Sequence, residues 1–262
     1  MNKDNNCEEC EQGLVQHCRN SMLWTYDAKY PDGQLTHGGY ADRIRVNHNF
    51  VFKVPESIKS EYAAPLMCAG LTTFSPLNKV MTRPGMKIGI IGIGGIGHLA
   101  VMWASKLQDG KCEVTAISHN DKRRDDALRL GAHKFLDTSD EKAVKAAKRT
   151  FDFILGTADA GQKDMENWLS MLKVGGSLCQ VGLPSEPFPI NPFVLLESAV
   201  KFTSSCIGSI KDMEEMLQFA AKHDVQPWIE TMAMEKVNEA IKKFRNKEVH
   251  FRIVLVNSNV NV

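Results

Sequence analysis

A chain of 262 residues with 43% hydrophobic and 24% charged side chains has the make-up of a soluble globular protein of one large or two small domains. Its net charge of +1, the lack of any apolar run of membrane-spanning length and the polar start MNKDNNCEEC argue against nucleic acid, a membrane or a secretory route. A reducing, cytoplasmic setting is therefore expected, with the seven cysteines as thiolates or metal ligands rather than disulfides.

Residues 1–20 are polar and rich in Cys, Glu and Asn. Between residues 21 and 62 the apolar runs 41–46 and 50–54 stand among Gly and Pro, a pattern that predicts short strands and loops. From about Ala63 the texture changes. Residues 87–91 predict a tight apolar strand, 95–107 a helix and 113–117 a second strand. A charged amphipathic helix follows over 121–130, with Asp121 as its expected cap and Gly131 as its C′ residue. Next come a strand at 134–136, a helix at 141–149, a strand at 151–155, a helix at 164–172 and strands at 177–181 and 201–205. The tail predicts helices at 212–222 and 236–245 and a strand at 251–256. Strands alternating with helices imply an α/β fold, a doubly wound parallel sheet covered on both faces.

Gly92-Ile93-Gly94-Gly95-Ile96-Gly97 fits G-x-G-x-x-G, directly after a predicted strand and at the opening of a predicted helix. Glycines there permit a tight turn and a close approach of backbone to a pyrophosphate. The helix start adds free N–H groups and the positive end of a dipole. A Gly-rich turn of another α/β protein is the plain alternative.

The end of the second strand selects the cofactor. An NAD site places Asp or Glu there to bond the ribose 2′-hydroxyl. Here the strand runs Ala116-Ile117-Ser118-His119-Asn120-Asp121-Lys122-Arg123-Arg124, so Ser118 takes the acid's place and three cations follow. A hydroxyl with Lys or Arg suits a 2′-phosphate, so NADP is expected. The alternative is that Lys122, Arg123 and Arg124 form a solvated helix face.

Cys7, Cys10 and Cys18 have the spacing of a structural zinc lobe, which needs four ligands. Asp4, three residues before Cys7, and His17 are the two candidates for the fourth. A lobe without metal is the other reading. Cys112, Cys179 and Cys206 suggest no chemical role of their own as thiols.

Together these features resemble the zinc-containing medium-chain alcohol dehydrogenases, most closely the cinnamyl-alcohol-dehydrogenase-like branch. The resemblance rests on Ala64-Pro65-Leu66-Met67-Cys68-Ala69-Gly70-Leu71-Thr72-Thr73, the glycine motif with His98, and Leu130-Gly131-Ala132. Phe151-Asp152-Phe153-Ile154, Val181-Gly182-Leu183-Pro184 and Ser205-Cys206-Ile207-Gly208-Ser209 extend it from about residue 4 to residue 256. It implies residues 1–64 as a remnant of a GroES-like catalytic domain with the cysteine lobe. It implies 65–209 as a Rossmann-type NADP-binding domain and 210–262 as helices and a strand returning toward the catalytic part.

The resemblance also implies roles. Cys68 is expected as the third protein ligand of a catalytic zinc and Thr72 as a contact at the nicotinamide end. Gly92, Gly94, Gly95, Ile96 and Gly97 would cradle the pyrophosphate. Ser118, His119, Lys122 and Arg123 would hold the 2′-phosphate. Thr157, Gly182, Ser205, Cys206 and Ile207 would line the nicotinamide ribose and carboxamide, and Arg252 would lie near the phosphates. A homodimer paired along the strand near 201–205 is implied by the same analogy.

The family's first two catalytic zinc ligands and its proton relay are not found in this sequence. His37 and His48 precede Cys68, but neither lies in a Gly-His-Glu motif, and both are expected as surface or core residues. The expectation is an NADP-dependent alcohol or aldehyde oxidoreductase, truncated and weak or inactive alone. The alternative from another class is a non-catalytic NADPH-binding remnant or regulatory subunit. A zinc-free quinone-reductase-like enzyme is disfavoured, because it has no use for Cys7, Cys10, Cys18 and Cys68.

Overall fold

The computed structural model describes residues 7–20, 22–80, 82–159, 161–187 and 190–257. Two compact units divide the chain: residues through Cys68 together with those from Ile207 onward, and Ala69–Cys206.

The first unit opens with α1 (Glu8–Glu11) and a 3-10 turn (Val15–His17), then a hairpin of β1 (Tyr26–Lys29) and β2 (Leu35–His37). Pro31-Asp32-Gly33 supplies the hairpin turn. Gly33 takes a positive φ of 86°, and its N–H donates to the Tyr30 carbonyl at 2.8 Å. The strands expected at 41–46 and 50–54 do not form. A 3-10 turn (His48–Phe50) lies between irregular segments, and Ile44, Val46 and Val51 are exposed. A strand needs a partner for its backbone groups, and among the described residues none pairs with these runs. α2 (Ser60–Pro65) then passes directly into a π-helical turn (Leu66–Gly70).

The second unit continues that helical run as α3 (Leu71–Lys79). Next come β3 (Lys87–Ile91), α4 (Gly97–Lys106), β4 (Glu113–Ser118), α5 (Arg124–Arg129), β5 (Lys134–Asp137) and α6 (Glu141–Ala146). β6 (Phe151–Gly156), α7 (Gln162–Ser170), β7 (Leu172–Gln180), α8 (Pro192–Ser198) and β8 (Lys201–Ser204) complete it. The six strands form one parallel sheet in the order β5-β4-β3-β6-β7-β8. That is the doubly wound Rossmann order, with its switch point between β3 and β6. Ile88, Ile90 and Ile91 of β3 and Ile154 and Leu155 of β6 are buried, as a sheet covered on both faces requires. On one face Phe74 of α3 meets Trp103 of α4 edge-on, with ring centroids 5.6 Å apart.

The helix expected over 121–130 is split. A 3-10 turn (Asp121–Arg123) precedes α5, and the cap is Asn120 rather than Asp121. Asn120 is extended, and its side chain accepts from the Lys122 N–H at 3.1 Å, so the break from strand to helix falls one residue earlier.

The chain then returns to the first unit with α9 (Ile210–His223), β9 (Ile229–Ala233), α10 (Val237–Arg245) and β10 (Arg252–Val256). Ser209 and Asp212 cap α9 reciprocally: Ser209 Oγ accepts from the Asp212 N–H at 3.1 Å, and Asp212 accepts from the Ser209 N–H at 2.8 Å. β9 and β10 pair in parallel. Among the described residues no helix is long and apolar enough to cross a membrane.

Candidate functional site

The carboxyl ends of all six parallel strands lie along one edge of the sheet, and the glycine turn leaves β3 there. Gly92 has a φ of 84°, a region that favours glycine, and a Cβ on it would lie 2.7 Å from the Ala158 Cβ. A Cβ on Gly97 would overlap the Gly92 carbonyl oxygen. Gly94 differs: among the described residues nothing lies within 4 Å of where its Cβ would be. Two glycines are thus demanded by packing, while the third leaves open space over the turn. α4 begins without a side-chain cap, and the His98 N–H bonds back to the Gly94 carbonyl at 3.0 Å. The turn lies at the positive end of the helix dipole, which suits a pyrophosphate. Gly95 and Ile96 lie within the same turn.

Thr157 closes the switch point. Its N–H donates to the Ile91 carbonyl at 2.9 Å, and its hydroxyl bonds the carbonyls of Ile91 at 2.9 Å and Gly92 at 2.8 Å. Gly182, at the exit of β7, packs on the same residue: a Cβ there would come 2.7 Å from the Thr157 carbonyl oxygen. The structure therefore brings Gly92, Gly97, Thr157 and Gly182 together. Ser205 and Cys206 follow β8 on the same sheet edge, with Cys206 exposed. Ile207 begins the other unit and adopts a left-handed φ of 51°.

At the other end of the edge, Ser118 closes β4 and is half-buried. His119 is exposed, and its Nε2 lies 2.8 Å from Asn120 Nδ2. Lys122 is exposed, whereas Arg123 is half-buried and lies 3.2 Å from the Asp126 carboxylate. Arg124 stacks over the Phe135 ring, 4.7 Å from its centroid. Sequence reasoning missed two acids here. Asp126 follows the cationic turn and is buried. Asp137 on β5 stands in register with Ser118. The Asp137 carboxylate accepts from the Ser139 hydroxyl and N–H, both at 2.8 Å. Those bonds, with the charges of Arg124 and His119, hold it below the usual carboxylate range. Only strand register reveals this acid, so no local sequence signal would have found it.

Cys68 sits in the π-helical turn, a feature frequent at functional sites, and its thiol is exposed. Thr72 follows on α3, half-buried. Thr73 beside it turns its hydroxyl back onto the carbonyls of Ala69 and Gly70. Burial pushes the Arg252 guanidinium down from its ordinary value, opposed by Cys68 and Tyr40. A catalytic zinc needs three protein ligands. Among the described residues no such group of His, Cys, Asp or Glu gathers at Cys68, so the residues present do not fit that ion.

The cysteine lobe is different. Cys7, Cys10 and Cys18 are buried, and their sulfur atoms lie within 4.8 Å of one another. Three converging thiols form a donor set suited to zinc. His17 is exposed and outside the group, because the 3-10 turn that carries it aims the ring to solvent. Asp4, the other candidate, lies outside the described residues. Arg19 braces the lobe by bonding Glu9 and holds that carboxyl down to about 2. Burial pushes the Cys112 and Cys179 thiols up, which keeps them protonated and unreactive.

Residues 95–222 match the zinc-binding dehydrogenase family. The chain is 40% identical over 250 residues to NADP-dependent alcohol dehydrogenase C 1 of Mycolicibacterium smegmatis, covering 95% of this chain and 70% of that protein. Among solved structures, a cinnamyl alcohol dehydrogenase of Sorghum bicolor superposes with a TM-score of 0.91 at 34% identity, over 100% of this chain and 74% of that one. The cinnamyl alcohol dehydrogenase of Helicobacter pylori, solved in complex with NADP(H), gives 0.87 at 30% identity, over 99% and 74%.

Proposed function

This chain belongs to the zinc-containing medium-chain alcohol dehydrogenase family, in its cinnamyl-alcohol-dehydrogenase-like branch, and from that premise we propose that it binds NADP(H) to interconvert a small alcohol and its aldehyde. The observation that carries the reading is the pair of packing-forced glycines, Gly92 and Gly97, below an open Gly94 at the sheet's switch point. On this reading, residues 92–97 and the start of α4 hold the pyrophosphate. Ser118, His119, Lys122 and Arg123 take the 2′-phosphate. Thr72, Thr157, Gly182, Ser205, Cys206 and Ile207 serve the nicotinamide end. The bound cofactor supplies or accepts the hydride; the residues fix its orientation and exclude water. Cys7, Cys10 and Cys18 hold a structural zinc, and β8 pairs across a homodimer.

Turnover by this chain alone is weak on this reading, because among the described residues Cys68 is a single thiol where a catalytic ion needs three ligands. The same observation favours a second reading, a non-catalytic NADPH-binding protein. Titration of the purified chain with NADPH and NADH, for wild type and Ser118→Asp, tests the shared core. NADPH is expected to bind at least about tenfold tighter, and Ser118→Asp to erase that preference. Equal affinities, or a variant that leaves the ratio unchanged, overturn the cofactor assignment. Aldehyde reduction measured with NADPH separates the two readings, since only the enzyme turns over.

A further inference from the structure

Gln180 is the last residue of β7 and stands in register with Gly156 of β6 and Ser204 of β8. Its neighbours Leu178 and Cys179 are apolar and buried, yet this position carries an amide that is only 7% exposed. Nε2 donates to the Ala158 carbonyl at 2.8 Å and to the Gly182 carbonyl at 3.0 Å. Oε1 is buried against Gly156 and has no hydrogen-bond partner among the described residues, and a Cβ on Gly156 would collide with it. The amide orientation follows from its surroundings. Two carbonyl oxygens face one end, so the donating nitrogen must lie there.

A buried carbonyl oxygen without a donor is destabilising, so an apolar side chain would serve β7 better than this amide. What an apolar side chain lacks is two N–H donors. The Ala158 and Gly182 carbonyls converge on one point, and two converging acceptors repel each other. The Gln180 nitrogen between them removes that repulsion and joins the loops leaving β6 and β7. Gly182 already packs on the carbonyls of Thr157 and Ala158, and Ser185 bonds Asp159 farther out along the same loops. The amide is thus the inner member of a brace between the two loops that carry Thr157 and Gly182, the residues assigned above to the nicotinamide end.

We propose that Gln180 is a positioning residue: its amide holds the Ala158 and Gly182 carbonyls together and so fixes the surface against which the nicotinamide ribose rests. The inference builds on the NADP(H) reading above and deepens it. Gln180 bonds Ala158 and Gly182 and makes no hydrogen bond to the glycine turn or the cationic turn, so its effect falls mainly on one end of the cofactor.

The test uses the full chain and two nucleotides, NADPH and 2′-phospho-ADP-ribose, which lacks the nicotinamide. Calorimetric affinities are compared for wild type, Gln180→Leu and Gln180→Asn. Leu removes both donors, and Asn keeps the amide but is too short to reach both carbonyls. NADPH affinity is expected to fall about tenfold in both variants, while 2′-phospho-ADP-ribose binds within about twofold of wild type. Loss of affinity for both nucleotides in both variants would make Gln180 a folding residue and overturn the inference. Unchanged NADPH affinity would overturn it too. Wild type that binds neither nucleotide would instead sink the underlying cofactor assignment.

Discussion

Arg123 lies 3.2 Å from one carboxylate oxygen of Asp126, whose other oxygen takes Arg129 at 2.6 Å. The acid is buried and the two arginines are more exposed, so Asp126 is the fixed point and the guanidinium of Arg123 is placed by it. A cation held in place binds a phosphate with less loss of side-chain entropy than a mobile one. Asp126→Asn is therefore expected to reduce the NADPH-over-NADH preference about three- to tenfold. NADH affinity stays near its wild-type value. Parallel titrations of the two nucleotides check this. An equal change in both affinities would mean that Asp126 supports α5 and has no part in cofactor choice.

The glycine turn makes a contrast between two substitutions of the same size. Gly97→Ala drives a methyl into the Gly92 carbonyl oxygen and within 2.8 Å of the Thr157 hydroxyl. Overpacking of that kind costs about 1–3 kcal/mol, so the unfolding midpoint in denaturant falls. Gly94→Ala meets nothing among the described residues, so stability should stay within about 0.5 kcal/mol of wild type. The new methyl would nevertheless stand where a pyrophosphate approaches, and NADPH affinity should drop at least about tenfold. If Gly94→Ala binds NADPH as wild type does, the open space over the turn is not the cofactor's place.

The parallel sheet and its glycine turn were legible from the chain because both signals are local: apolar runs of strand length, and glycines spaced across one turn. What stayed hidden depends on pairing between distant segments. The runs at 41–46 and 50–54 have strand composition but no partner among the described residues, and the hairpin formed instead around Gly33, where the turn chemistry is strong. α3 was masked by Pro76 and the adjacent Thr72 and Thr73, all weak helix formers, although Phe74 and Leu77 bury one face of it. His17 was one of two candidates for the lobe's fourth ligand, yet it is exposed. Gln180 gave no signal at all, since its partners are carbonyls that only the β6–β7 register brings near.

The opposite end of the sheet carries a pH-dependent anchor. Asp152 at the start of β6 accepts from the Lys87 N–H of β3 at 2.9 Å, from Lys173 of β7 at 2.7 Å and from Arg83 at 3.4 Å. Burial alone would push this carboxyl up, but the bonds from Lys173 and Lys87, with the charges of Lys173 and Arg83, outweigh it and hold the carboxyl below its ordinary 3.8. A depressed carboxyl contributes stability that is full above the unfolded value and is lost as pH falls through the folded one. Asp152→Asn is therefore expected to cost about 1–3 kcal/mol near neutral pH. The gap from wild type should stay level down to about pH 5 and close progressively below about pH 4. Urea melts of both proteins across that range check the sign. A gap that persists undiminished in acid would mean that Asp152 acts through packing, with its charge making no difference to how the three strands are held.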